Sequence, residues 1–204
     1  MIWESAYWKD DLLKQGAELS RRRMQRRWTD RSLARLEQSV MLGFYSIRKL
    51  IEAKKLTDFV VTTDIPVLTY LPKGKPITLL NWHHIDRLYY LEEAKRESIG
   101  LIDLCNQFVH SYIFAPLFDE AGFLSAIYVA SDRLREKKLL EVAVERLVWL
   151  FDLVGNDEPA GGAMVYNPER RDYEVILCNP IRRGSSYLGS TRAKAANQGP
   201  EADG

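Results

Sequence analysis

The residues best suited to chemistry in this 204-residue chain stand in the stretch 104–114, "LCNQFVHSYIF". An imidazole titrates near neutral pH, and it serves as an acid or base once one ring nitrogen is held by an amide or carboxylate. On a helix at about 100° per residue, Asp103, Asn106, Gln107, His110 and Ser111 fall within one arc of about 140°. Leu101, Leu104, Cys105, Phe108, Val109, Tyr112 and Ile113 cover most of the remainder. The spacing thus sets His110 in the middle of a polar stripe, with Asn106 and Gln107 one turn away and Asp103 two turns back. It turns Cys105 toward the packed side. A solvated face of a packed helix would carry the same pattern.

The run "CNQFVH" resembles the signature of the HEPN superfamily, all-helical proteins many of which are metal-independent ribonucleases. That signature is an arginine, often followed by a polar residue such as Asn, and a histidine a few residues on. Asn106 matches the polar position, His110 the histidine, and Cys105 stands in the arginine's place. The resemblance implies a helical bundle, often dimeric, with paired motifs facing an RNA-binding cleft. In it His110, with Asn106 beside it, would be the acid/base group at the scissile phosphodiester. The arginine would stabilise the phosphate charge of the transition state. Arg96, 14 residues before His110, lies about 21 Å away along a helix and does not replace it within one chain. The expectation is therefore a HEPN-like, non-catalytic interaction module contacting RNA or a partner protein. One alternative is an active ribonuclease using His110 with an arginine supplied from elsewhere, such as across a homodimer. Another is a structural subunit of a larger assembly, its five Trp and ten Tyr forming a partner surface.

A second cluster is "RRRMQRRWTDRSLAR", where Arg21, Arg22, Arg23, Arg26, Arg27, Arg31 and Arg35 face one acid, Asp30. Such local charge attracts phosphates, and Trp28 offers a ring on which a base can stack. The same arginines would also suit a helix corner that pairs with acids elsewhere, such as "DEAG" or "LEEAKRE". A third cluster, "NWHHID", holds His83, His84 and Asp86. Adjacent histidines diverge on a regular element, and no metal-ligand spacing is present. A metal would need His110 and Asp103 or Asp86 to join one of them, so neither a metal nor a cofactor is expected. "VGNDEPAGG" lacks the lysine and following helix of a phosphate loop, and "YVASDRL" lacks the glycines of a nucleophile elbow.

The elements that would position these groups follow from periodicity. Helices are expected over 3–26, with Trp3, Trp8, Leu12 and Leu19 near one face, and over 30–56, with Leu33, Leu36, Val40, Phe44, Ile47 and Ile51 stepping by threes and fours. Thr29 or Asp30 caps the second. A hairpin is expected from "FVVTTDIPVLTYL" and "ITLLNW" across "PKGKP", then a third helix over 84–115, a strand at "FLSAIYVA", and a fourth, most buried helix from a Ser131 or Asp132 cap to Val154. A second hairpin joins "AMVYN" to "YEVILC" across "PERRD". The fold class expected is α+β, mainly α: a four-helix core with short β-hairpins and strands inserted in the loops. It forms one domain over 1–183, followed by a disordered tail over 184–204 rich in Ser, Gly, Ala and Asn.

Composition narrows the class. Hydrophobic residues make up 46% and charged residues 28%, and the formal net charge is +1, so only local patches, not the whole surface, attract a polyanion. Cys105 and Cys178 stand alone, as reduced thiols do. The opening "MIWESAYWKDDLLKQ" lacks the apolar core of a signal peptide, and no run nears the roughly 18 apolar residues of a membrane span. The expectation is a cytoplasmic protein without a membrane partner.

Overall fold

The computed structural model of the protein describes residues 2–159 and 161–178. It opens with α1 (Ala6–Arg22) and α2 (Asp30–Glu52). Both form because one stripe of each is apolar. α2 buries Leu36, Val40, Phe44, Ile47 and Ile51, and α1 buries Leu12 and Leu19. A reciprocal capping box starts α2: the Thr29 hydroxyl accepts from the Ser32 amide at 3.2 Å, and the Ser32 hydroxyl accepts from the Thr29 amide at 2.8 Å. Trp3 does not join the buried face of α1. It precedes the first helical turn and is 97% exposed.

After a short α3 (Asp58–Val61), the chain runs through β1 (Asp64–Tyr70), α4 (Ile85–Leu88), β2 (Lys95–Gly100), α5 (Leu101–Val109) and β3 (Ser111–Phe118). It continues through β4 (Leu124–Ser131), β5 (Leu139–Ala143) and α6 (Val144–Gly155), and ends with the hairpin of β6 (Gly161–Asn167) and β7 (Asp172–Cys178). Strands β2-β1-β5-β4-β3 form one antiparallel sheet, in that order. This corrects the expected architecture. The fold is α+β, yet the sheet, not a four-helix core or a helical bundle, organises it, and the bundle implied by the HEPN resemblance is absent among the described residues.

Three segments account for the difference. The helix expected over 84–115 is broken by β2 and β3, and only 101–109 is an α-helix of more than one turn. The segment 111–118 is a strand at the sheet edge, where a proline is tolerated, with Phe114 and Phe118 packed on one core and Ile113, Ala115 and Leu117 on the other. The segment 139–143 is strand β5, so the fourth helix begins at Val144, about three turns later than a cap at Ser131 requires. β1 pairs with β2 from Asp64↔Gly100 to Thr69↔Lys95, and "ITLLNW" forms no strand. The β6–β7 hairpin lies where expected, and the tail over 184–204 falls outside the described residues.

α5 and α6 lie on the sheet, α1 packs along α6, and α2 packs on α5 and α1. The core between them joins Ile65, Val67, Ile127, Val129, Leu140 and Val142 of the sheet to the helices. The sheet's other face is covered at one end by the irregular segment 71–94, through Ile77, Ile85, Leu88 and Tyr89. Among the described residues no helix is long and apolar enough to cross a membrane.

Candidate functional site

α5 positions the motif that chemistry would need. Leu101, Leu104, Cys105 and Phe108 are buried. Burial pushes the Cys105 thiol up to about 12, which leaves it a packing group rather than a nucleophile. His110 lies just past the helix as its C-cap, exposed, with its amide bonded to the Asn106 carbonyl at 3.1 Å. Its imidazole makes no hydrogen bond to a carboxylate or amide among the described residues.

The polar neighbours are engaged in structure. Asn106 Oδ1 accepts from the Arg48 guanidinium, which also pairs with Glu52 at 2.9 Å, tying α5 to α2. Gln107 Oε1 accepts from the Ser131 amide at 3.1 Å, and the His110 carbonyl accepts from the Asp132 amide at 3.3 Å. The motif is thus a joint that fixes the end of β4 and the flank of α2 around α5. A guanidinium does stand beside Asn106, yet it arrives from 58 residues away in sequence, and local spacing carries no sign of it.

The arginine cluster divides. Arg22 pairs with Glu18 at 2.6 Å, Arg23 pairs with Glu145 at the start of α6, and Arg26 lies over the Phe123 ring at 5.0 Å. Trp28 packs on Phe118 with centroids 5.3 Å apart and donates to the Gln25 carbonyl at 3.0 Å, so its ring serves the corner's packing. Arg21, Arg27, Arg31 and Arg35 are exposed and have no acidic partner among the described residues. No family model matches the chain, and no curated protein or solved structure matches it either. The site must therefore be read from its own geometry.

That geometry extends along α2. Arg31, Arg35, Gln38, Leu42 and Tyr45 step by threes and fours, within an arc of about 80°, opposite the buried positions. All five are exposed, Leu42 by 49% and Tyr45 by 47%. This stripe carries two guanidinium groups, an aliphatic patch and an aromatic ring, and none of its five residues is an acid; the exposed Glu37 lies to one side of it. Its signal was present in the sequence as the complement of the apolar stripe.

The remaining candidates do not converge. The rings of His83 and His84 lie 4.0 Å apart in the 71–94 segment, tilted at 46° to each other, and no group of three or more metal-ligating side chains exists among the described residues. Asp86 and Asp103 are exposed. A cleft of about 280 Å³ between β1, β2, β5 and α5 is floored by Val67, Ile99 and Leu140. At its rim Lys138 lies 2.5 Å from Glu97, and Thr69 donates to Glu97 at 2.9 Å. One largely buried polar cluster leaves no signal in the sequence: Tyr70 donates to Glu141 at 2.5 Å beside Tyr128 on the sheet's second face.

Proposed function

We propose that the protein is a non-catalytic binding module that holds single-stranded RNA along the outward stripe of α2. The observation that carries this reading is Arg31 and Arg35, exposed and without an acidic partner among the described residues, with the exposed Arg27 just before the helix and the exposed ring of Tyr45 further along it. Arginine binds phosphate oxygens bidentately. An exposed ring stacks on a base without regard to sequence. Arg35 and Tyr45 stand about 15 Å apart along the helix, so a strand lying on the stripe can engage both. The bonds that hold Asn106 and leave His110 alone favour binding over cleavage.

Fluorescence anisotropy of a labelled single-stranded RNA, measured over a salt series, tests the reading. Changing Arg27, Arg31 and Arg35 together to Gln is expected to weaken binding at least about tenfold and to flatten the log–log salt slope by about 2, since each phosphate contact contributes about 0.7. Tyr45→Ala is expected to cost about 1–3 kcal/mol with little change in slope. Intact RNA after incubation with wild type or His110→Ala in EDTA is the expected companion result. Absence of salt-dependent binding, or equal binding by the triple variant, removes the reading.

A further inference from the structure

The solvent face of α1 is unlike that of a helix meant to stay in water. Trp3, just before the helix, is 97% exposed, Tyr7 is 73% exposed and Met24, just past its end, is 71% exposed. With Asp10, Lys14, Ala17 and Arg21 between them, all exposed, these residues step by alternating fours and threes. That is the 3.5-residue repeat of a seam between two helices. The large apolar side chains sit toward the ends of the seam, and the charges sit between them.

The order of the charges selects the partner. Among the exposed residues of this stretch, the acids Glu4, Asp10 and Asp11 come first and Arg21 comes last. Arg22 and Arg23 are already paired with Glu18 and Glu145. A two-fold axis crossing α1 at Gln15–Gly16 lays a second α1 antiparallel on the first. It then sets Tyr7 opposite Met24, Asp10 opposite Arg21, and Lys14 opposite Ala17, each pair occurring twice. Parallel packing would instead set Asp10 against Asp10 and Arg21 against Arg21. Beside the stripe runs a groove of about 500 Å³ between α1 and α6, lined by Leu13, Gly16, Ala17, Ser20, Val148 and the 40%-exposed Trp149. It gives room for side chains of the facing helix.

The geometry points to an antiparallel homodimer joined through α1, with Asp10 and Arg21 as its reciprocal ion pairs. The seam is about 25 Å long and covers less than the roughly 800 Å² per partner of a standard stable interface. Its dissociation constant is therefore expected on the order of micromolar. Arg27, Arg31 and Arg35 lie off the seam, so this inference stands apart from the RNA reading and is tested without nucleic acid.

Analytical ultracentrifugation of the full chain across the micromolar range is the test. Wild type should pass from monomer to dimer. Because the interface is isologous, Asp10→Arg or Arg21→Asp alone creates two like-charge pairs, and each is expected to weaken the dimer at least about tenfold. The double variant D10R/R21D restores both pairs with their signs exchanged and should dimerise within about threefold of wild type. Circular dichroism of each variant checks the fold, which these exposed positions leave intact. A monomer at every concentration, single reversals without effect, or a double variant no better than the singles would each overturn the proposal.

Discussion

The two faces of the central sheet are held by different physics. The face under α5 and α6 meets the helices mainly through apolar side chains, and its specificity is chiefly one of shape. Phe44 stacks on Phe108 at 4.0 Å and meets Phe151 edge-on at 5.6 Å. Gly43 and Gly16 bring α2 and α1 against Phe151 so closely that a Cβ built on Gly43 would lie 2.3 Å from the Phe151 ring. The face under segment 71–94 joins Leu139 and Ala130 to three tyrosines, and its specificity is one of hydrogen bonds. Tyr70 donates to Glu141, and Tyr89 donates to the Arg135 carbonyl at 2.5 Å. Arg135 in turn stacks on Tyr112 at 3.6 Å. Regular helices can cover a sheet by interlocking, whereas an irregular segment must satisfy its polar groups one at a time.

If that contrast is right, size should govern one face and polarity the other. Phe151→Ala is expected to have the largest effect, about 3–5 kcal/mol by denaturant unfolding, because the side chain is fully buried between three helices. Gly43→Ala should cost about 1–3 kcal/mol by overpacking. That cost should fall in a Phe151→Leu background, since the clash is with the ring itself; equal costs in both backgrounds would break the shape account. On the other face, Glu141→Leu should cost about 1–3 kcal/mol by leaving the buried Tyr70 hydroxyl without its acceptor. Tyr70→Phe should cost about 1 kcal/mol, and the double variant less than the sum. Strict additivity would show that the hydrogen bond is not what holds this face.

The same contrast explains what could be read in advance. α1 and α2 were legible because each buries one stripe and leaves the other wet, which periodicity records, and because Thr29 marks a start. β5 and α6 read as one helix because residues 139–154 are apolar on both sides of the boundary. The junction at Ala143 has extended backbone but no capping side chain, glycine or proline to mark it. β2 escapes periodicity for the opposite reason: its residues 95–98 are exposed, as the polar side of a helix would be. At the site, the exposed arginines were visible as local charge. Their division into paired and unpaired groups was not, because Glu145 reaches Arg23 only through the packing of α1 on α6. Asn106 and Gln107 were visible too, but their partners, Arg48 and the Ser131 amide, are brought to them only by the fold.

The smallest effect distinguishes the two faces by pH. In the helical layer Lys9 is buried and donates to the Asp157 carbonyl, and burial holds its pKa below the ordinary lysine value. Between that lowered value and about 10.4 the unfolded chain holds more protons than the folded one, so this group makes stability rise with pH. On the other face burial pushes the phenols of Tyr70, Tyr89 and Tyr128 up, and the hydrogen bond to Glu141 adds to the effect at Tyr70. Their contribution is complete below about pH 10 and is lost as pH rises further, because the unfolded chain then gives up phenol protons that the folded chain retains. Thermal melts across this range should therefore show Lys9→Met flattening the rise and Tyr70→Phe reducing the fall. The tyrosinate absorbance of the three buried rings should grow only as the protein unfolds, and Tyr70→Phe should remove one ring from that late phase. If all the tyrosines titrate together while the far-ultraviolet circular dichroism stays native, segment 71–94 does not seal its face of the sheet.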